Sequence, residues 1–290
     1  MDEIKKFTFS GHESFPCKTL WLKKGYDFIT NGGDFNADEA VVRLGVGKNM
    51  VSSIRYWIKA FGFNNERTNW IAEYIFDTVD GKDPFVEDIG TLWLLHFLLI
   101  YTEEASLYNL FFVDFQKERR EFDRSQVVSF VKRKMAEAGK DTLFNENTVK
   151  KDVGVLLLNY CLPKNPQSNE DFSTLLMDLD LLRQMERRWS DGEGRDRYVF
   201  NIEGKRQIVP EIFLFAILMM KDDTDKSISY DMMQELGLIF CMNDLEVIDM
   251  LKLLSEKYSD SLAYSDVAGI RQLQFINKIE AKQILDEYYE

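Results

Sequence analysis

Apolar and polar positions along the chain repeat mostly at helical spacing, and the clearest run lies at 36–62. Asn36 stands where a helix N-cap would, with Glu39 three positions on to complete a capping box, and the pattern predicts a helix running to Leu44. Gly45-Val46-Gly47 breaks it. A second helix is predicted from Lys48, carrying Val51, Ile54, Ile58 and Phe61 on one apolar stripe until Gly62 ends it. Helix, tight glycine turn and helix are then followed by Phe63 to Ile75, read as a wing with Arg67 and Asn69 near its tip.

Residues 87–112 are apolar on every side, as a central hub would be. His96 within them is expected to be a hydrogen-bonded core histidine, with no second His or Cys nearby to share a metal. A further helix pair is predicted at 125–137 and 145–160. Ser125 opens the first, Asn145 caps the second, and Val149, Val153, Leu156 and Tyr160 are spaced for burial. The polar, proline-containing stretch 163–171 reads as a linker and places a domain boundary. Beyond it the pattern predicts helices at 172–188 and from Pro210 to Met220, with a strand at Tyr198 to Ile202 between them. A helix pair at Ser229–Leu236 and Asp244–Lys257, a strand holding Ile270, Leu273 and Phe275, and a last acidic helix follow.

The expected fold is therefore mainly α, with winged-helix or helix-turn-helix-like units packed on a central helical hub and few short strands. Two domains are expected: 1–162, with the helix-turn-helix at about 36–75, and a winged-helix-like acidic domain at 172–290. The 290 residues suit two cores, and 45% hydrophobic content excludes wholesale disorder. With 16 Gly and 5 Pro, turn formers are too few for a sandwich of many short strands. The longest apolar run, Leu92 to Ile100, falls well short of the roughly 20 residues of a membrane span. The opening MDEIKKFTFSGHESF lacks the apolar stretch of a secretory signal, which points to the cytoplasm. Cys17, Cys161 and Cys241, odd in number and far apart, suggest neither a disulfide framework nor a zinc site.

A net charge of −13 argues at first against a phosphate-rich partner. The charge is divided along the chain, however. Residues 1–69 hold more Lys and Arg than Asp and Glu, whereas 221–290 hold about twice as many acids as bases. A second basic stretch carries Lys117, Arg119, Arg120, Arg124, Lys132, Arg133 and Lys134. Opposite the apolar stripe of the helix from Lys48 lie Lys48, Asn49, Ser52, Ser53, Arg55, Tyr56 and Lys59, with no acid among them. Cations near phosphates, with Asn, Ser or Arg near a helix start, are what reading double-stranded DNA requires. The alternative is an ordinary polar face of a helical bundle. Arg67, and Lys150 with Lys151 at the start of the helix from 145, are further candidate backbone contacts; the latter pair reads equally as a solvated face. The last unit's corresponding helix bears Asp244, Glu246, Asp249 and Glu256 and suits a protein partner instead. Helix pairs that read DNA commonly act as dimers on two half-sites, so a homodimer is a possible partner, although no heptad seam enforces one.

No phosphate-binding Gly-rich loop, nucleophile elbow or thiolate cluster is present, and no nucleotide cofactor is expected. Two constellations remain. In Ser10-Gly11-His12-Glu13-Ser14-Phe15, a histidine beside a carboxylate, His12 and Glu13, matches the needs of phosphodiester cleavage with Mg²⁺ or Mn²⁺. The plainer reading is that the two fix a loop. Asp191 or Asp196 ahead of Glu203-Gly204-Lys205 is similar to the Asp then Glu-x-Lys arrangement of metal-dependent nucleases, a pattern that Glu280-Ala281-Lys282 shows to arise by chance.

FSGHESFPCKTLWLKKGYD, VRLGVGKNMVSSIRYWIKAFG, FVEDIGTLWLLH, NTVKKDVGVLLLNY and DVAGIRQLQF together resemble the SspB-like proteins of bacterial DNA phosphorothioation systems, within a wider domain-of-unknown-function family. The resemblance spans nearly the whole chain. It implies a protein working beside a cysteine desulfurase, an ATPase and a sulfur-transfer enzyme that replace a non-bridging phosphate oxygen of DNA by sulfur, in phage defence. It also implies DNA nicking, with His12 and Glu13 as candidates; a non-catalytic DNA-binding adaptor recruiting those enzymes is the alternative. Cys17 as a persulfide carrier has only Lys18 beside it to lower its pKa.

Overall fold

A computed structural model describes residues 7–162, 173–185, 196–204, 207–267 and 269–290. The chain forms two compact units, Met1–Asn201 and Ile202–Glu290. Among the described residues no helix is long and apolar enough to cross a membrane. The architecture is mainly α with few short strands, as the periodicity predicts; the strands form two small three-stranded sheets.

The first unit opens with α1 (Trp21–Thr30), α2 (Ala40–Leu44) and α3 (Lys48–Ala60), followed by α4 (Asn69–Phe76). Helix α2 is shorter than expected. Asn36 does not cap it; its amide is tied instead to Asp34 Oδ1 at 3.0 Å, and residues 36–39 turn ahead of the helix. Gly45 ends α2 in the left-handed region at φ 64°, a conformation that costs glycine little, and α3 starts three residues later. The wing expected at Phe63–Ile75 is absent and α4 takes its place. Ile71, Ala72, Ile75 and Phe76 are buried at helical spacing, the period of a helix and not of a wing strand.

Helix α5 (Ile89–Tyr101) is the hub: every residue from Gly90 to Ile100 is buried, and Asp88 caps it by accepting from the Gly90 and Thr91 amides. Burying each large apolar side chain there contributes about 1.5–3 kcal/mol. His96 is a core residue, its Nδ1 2.8 Å from Tyr160 Oη. Helix α6 (Ser106–Asn109) runs into a π-helical turn, Leu110–Phe115, and then α7 (Gln116–Glu118). The pair α8 (Arg124–Glu137) and α9 (Glu146–Tyr160) follows as expected. Asp123 rather than Ser125 caps α8, in a capping box with Gln126, because Ser125 already lies inside the helix. Asn145 caps α9 through the Thr148 amide, and Val149, Val153, Leu156 and Tyr160 are buried.

The helix expected at 172–188 does not form over 173–185. A 3₁₀ turn at Met177–Leu179 and strand β2 (Leu182–Gln184) occur instead. Leu175, Leu176, Leu179, Leu181 and Leu182 are all buried, so the segment has no polar face to offer as a surface helix, and Asp180 at φ 48° turns the chain. Strand β3 (Arg197–Phe200) pairs antiparallel with β2 and with β1 (Glu121–Asp123). Phe200 is buried against Phe111 and Phe122 with ring centroids 4.7 and 5.3 Å away, and this aromatic packing holds the strand in the first unit. The segment 163–171, read as the boundary, lies outside the described residues; the compact units divide instead between Asn201 and Ile202, because β3 belongs to this sheet.

In the second unit, α10 (Pro210–Met220) is followed by β4 (Ser227–Ser229), α11 (Tyr230–Ile239), α12 (Asp244–Lys257), β5 (Leu262–Val267), β6 (Ile270–Phe275) and α13 (Ala281–Tyr289). The sheet order is β4-β6-β5, all antiparallel, so a strand, two helices and a two-stranded hairpin follow one another as in a winged helix. Asn243 and Glu246 form the capping box of α12.

Candidate nucleic-acid interface

Helix α3 divides into two faces. The stripe expected from spacing, Val51, Ile54, Ile58 and Phe61, is buried, joined by Trp57. Lys48, Asn49, Ser52 and Arg55 are exposed, while Tyr56 and Lys59 are partly covered. Ser53 corrects the reading. It lies four residues before Trp57 and seven before Ala60, on the packed side, and is 0% exposed with its Oγ lacking a hydrogen-bond partner. It cannot reach DNA.

The cations of this face differ in how they are held. Lys48 makes no ion pair among the described residues, and Arg55 Nη1 donates to the neutral Asn36 Oδ1 at 2.7 Å. Lys59 Nζ is 3.1 Å from Glu104 Oε2, which offsets part of its charge. Arg67 is exposed with its guanidinium 5.3 Å from the centre of the Tyr101 ring, beyond the turn and not on a wing. Lys150 pairs with Glu146 at 2.5 Å, one turn earlier on α9, and Lys151 is exposed.

The motif at 10–14 packs under α3. Ser10, Gly11, Glu13 and Ser14 all have positive φ, from 48° to 103°, a clustering that for non-glycine residues costs energy and has to be held by its surroundings. Asp152, buried on α9, does the holding: Oδ2 accepts from the Ser10 amide at 2.9 Å and Oδ1 lies 2.9 Å from His12 Nε2. The Ser14 amide donates to His12 Nδ1 at 3.1 Å. An amide can only donate, so Nδ1 is the acceptor and Nε2 carries the proton given to Asp152. With both nitrogens engaged, and only 4% exposed, His12 is a strut. At Gly11, at φ 103°, an added Cβ would lie 2.7 Å from the Tyr56 ring, so this turn abuts the ring directly. Burial, reinforced by the Asp152 carboxylate, pushes the Tyr56 phenol far above its ordinary range, so it remains a neutral donor.

Glu13, by contrast, is exposed. It joins Asn36, Asp38, Lys48, Arg55 and Tyr56 around a cleft of about 870 Å³. The structure thus gathers Glu13 and most of the predicted α3 residues at one site, and separates His12 from it. Spacing alone concealed Asp152, the partner of His12, and Asn36, the partner of Arg55: the pairs are 140 and 19 residues apart.

Among the described residues no three or more His, Cys, Asp or Glu side chains gather as a metal centre. In the second constellation Asp191 and Lys205 lie outside the described residues. The three cysteines are free and buried; burial alone raises Cys17, and the Cys161 thiol is pushed up to about 12, chiefly by burial. Neither is poised as a thiolate carrier.

The family model described as protein of unknown function, DUF4007, matches residues 9–289. Two solved structures share the fold. A magnesium-ion-bound SspB crystal structure superposes with a TM-score of 0.82 at 25% identity, covering 97% of this chain and 88% of that one. A second SspB crystal structure gives 0.80 at 26% identity with the same coverage. No curated protein matches.

Proposed function

The chain belongs to the DUF4007 family, and from that footing we propose that it is a DNA-binding component of a DNA phosphorothioate modification and phage-defence system. The likeness to SspB supports the system. One observation carries the DNA reading: α3, in a protein of net charge −13, contains no Asp or Glu, and it turns Lys48, Asn49, Ser52 and Arg55 to solvent together. Lys48 and Arg55 supply phosphate contacts, and Asn49 and Ser52, near the helix start, face the base edges. Lys151 extends the contact along α9. The acidic second unit keeps phosphate away and presents Asp244, Asp249 and Glu256 of α12 to the sulfur-transfer enzymes of the system, with Glu246 held in the capping box.

The geometry favours binding over catalysis by His12, whose ring nitrogens are both committed. A backbone cut made at this site would draw on Glu13, which faces the cleft. The reading is tested by fluorescence anisotropy with a labelled duplex. Lys48→Glu combined with Arg55→Glu is expected to weaken binding at least tenfold, while Lys252→Glu on the second unit leaves it unchanged. Equal affinity for the wild type and the α3 variant would contradict it.

A further inference from the structure

The cleft beside α3 does not end at its cations. Ile29 and Ile58 also line a second cleft of about 440 Å³, whose other walls include Tyr26, Phe63, Asn69, Trp70 and Glu73. Two recesses thus adjoin at Ile29 and Ile58: the first lies between α3, the start of α2 and the turn at Gly11 and Glu13, and the second between α1, α3 and α4. The first has Lys48 and Arg55, with Lys59 beyond them, against Glu13 and Asp38. The second has aromatic and aliphatic walls, an exposed amide at Asn69 and a carboxylate at Glu73. Trp70 is half-buried and set edge to face on Tyr74 at 6.0 Å, which limits the orientations of its ring.

We propose that these two recesses together bind one unpaired nucleotide of DNA, its phosphate against Lys48 and Arg55 and its base in the recess of Trp70. This rests on the DNA-docking reading and adds to it a preference for a displaced base. The division of charge sets the polarity. Glu73 repels phosphate from the second recess, and the Tyr26 phenol there is raised by burial first and then by the Asp77, Glu73 and Asp27 carboxylates, all of which mark it as hostile to an anion. A neutral base meets none of that repulsion. It gains an aromatic face to stack on, an amide that both donates and accepts, and a carboxylate able to accept a hydrogen bond from an exocyclic amino group. A base still stacked in a duplex cannot present its faces to Trp70, so the recess selects nucleotides already unpaired or easily extruded.

Three versions of one short duplex test this: fully paired, with a single unpaired 2-aminopurine, and with an abasic residue at the same bulge. The expected result is about tenfold tighter binding of the 2-aminopurine bulge than of either other duplex, a margin typical of one base stacked on an aromatic ring. Its fluorescence should be quenched on binding. Trp70→Ala should abolish the preference and the quenching while leaving the paired duplex within twofold, and Trp70→Phe should retain most of both; circular dichroism confirms that each variant is folded. Equal binding of all three duplexes by the wild type, or a preference that survives Trp70→Ala, overturns the inference but leaves DNA docking through α3 standing. Failure to bind any of the three removes both.

Discussion

His12 Nε2 and Asp152 Oδ1, 140 residues apart in sequence, meet at 2.9 Å in the interior of the first unit. This contact ties the N-terminal motif to α9 and, through Tyr56 against His12 and Gly11, seats the motif under α3. The basic helix faces are thus carried by elements that the motif cross-links, which makes His12 a positioning residue for the surface above it.

His12→Ala should lower unfolding free energy by about 1.5–3 kcal/mol, because the buried Asp152 carboxylate loses the His12 N–H donor and keeps only the Ser10 amide. Urea unfolding of His12→Ala, Asp152→Ala and the double variant checks this: the double variant should lose much less than the sum of the singles. DNA binding by the folded fraction of His12→Ala should remain measurable. A folded, stable His12→Ala protein would contradict the strut.

Ser53→Ala should leave DNA affinity unchanged and should not destabilise the protein. The hydroxyl is buried without a partner, so its removal recovers a desolvation cost of about 1 kcal/mol. Thermal unfolding and a binding titration read the two effects. Weakened DNA binding would mean that Ser53 faces the nucleic acid after all.

Gly11→Ala should cost about 1–3 kcal/mol. The new Cβ meets the Tyr56 ring at 2.7 Å, and φ of 103° is one that alanine rarely adopts. The midpoint of thermal unfolding measures it, with lowered DNA affinity expected as Tyr56 shifts on α3.

Stability should fall as pH rises above the ordinary thiol value of about 8.5. Burial holds Cys161 protonated to about 12 in the folded state, so between these values the native chain binds more protons than the unfolded one. The contribution is complete below about 8.5 and is lost on the way to 12, at up to about 1.4 kcal/mol per pH unit for this group. Urea unfolding at successive pH values should show the decline, and Cys161→Ala, though less stable at neutral pH, should show a shallower one.

The helical hub, α3, α9, α10 and α12 were legible in the sequence because each follows a 3.6-residue pattern or an unbroken apolar run that packing reinforces. The ends of α12 at Asp244 and Lys257 could be read directly, since a charged residue begins and closes the apolar spacing. Residues 173–185 and α4 were not legible, for opposite reasons. The first is apolar enough for a helix, but Thr174 bridges Lys18 and Leu182–Gln184 pair with β3, partners visible only once the chain has closed. The second is short and follows polar residues, Asn64 to Thr68, that suit a wing tip as well as a helix start. At the site, the exposed cations of α3 could be found by helical phase, whereas Ser53 lies near the edge of the apolar stripe, where one residue type decides little. Asp152 offered no local signal at all: it sits beside Lys150 and Lys151 and resembles one more charge on a solvated helix.

The most direct test of the central claim is the salt dependence of duplex binding by the wild type and by Lys48→Gln combined with Arg55→Gln. If these two side chains displace counterions from phosphates, the slope of log affinity against log salt should become shallower by about two, since each phosphate contact contributes roughly 0.9. An unchanged slope and unchanged affinity would show that DNA, if bound, is bound elsewhere.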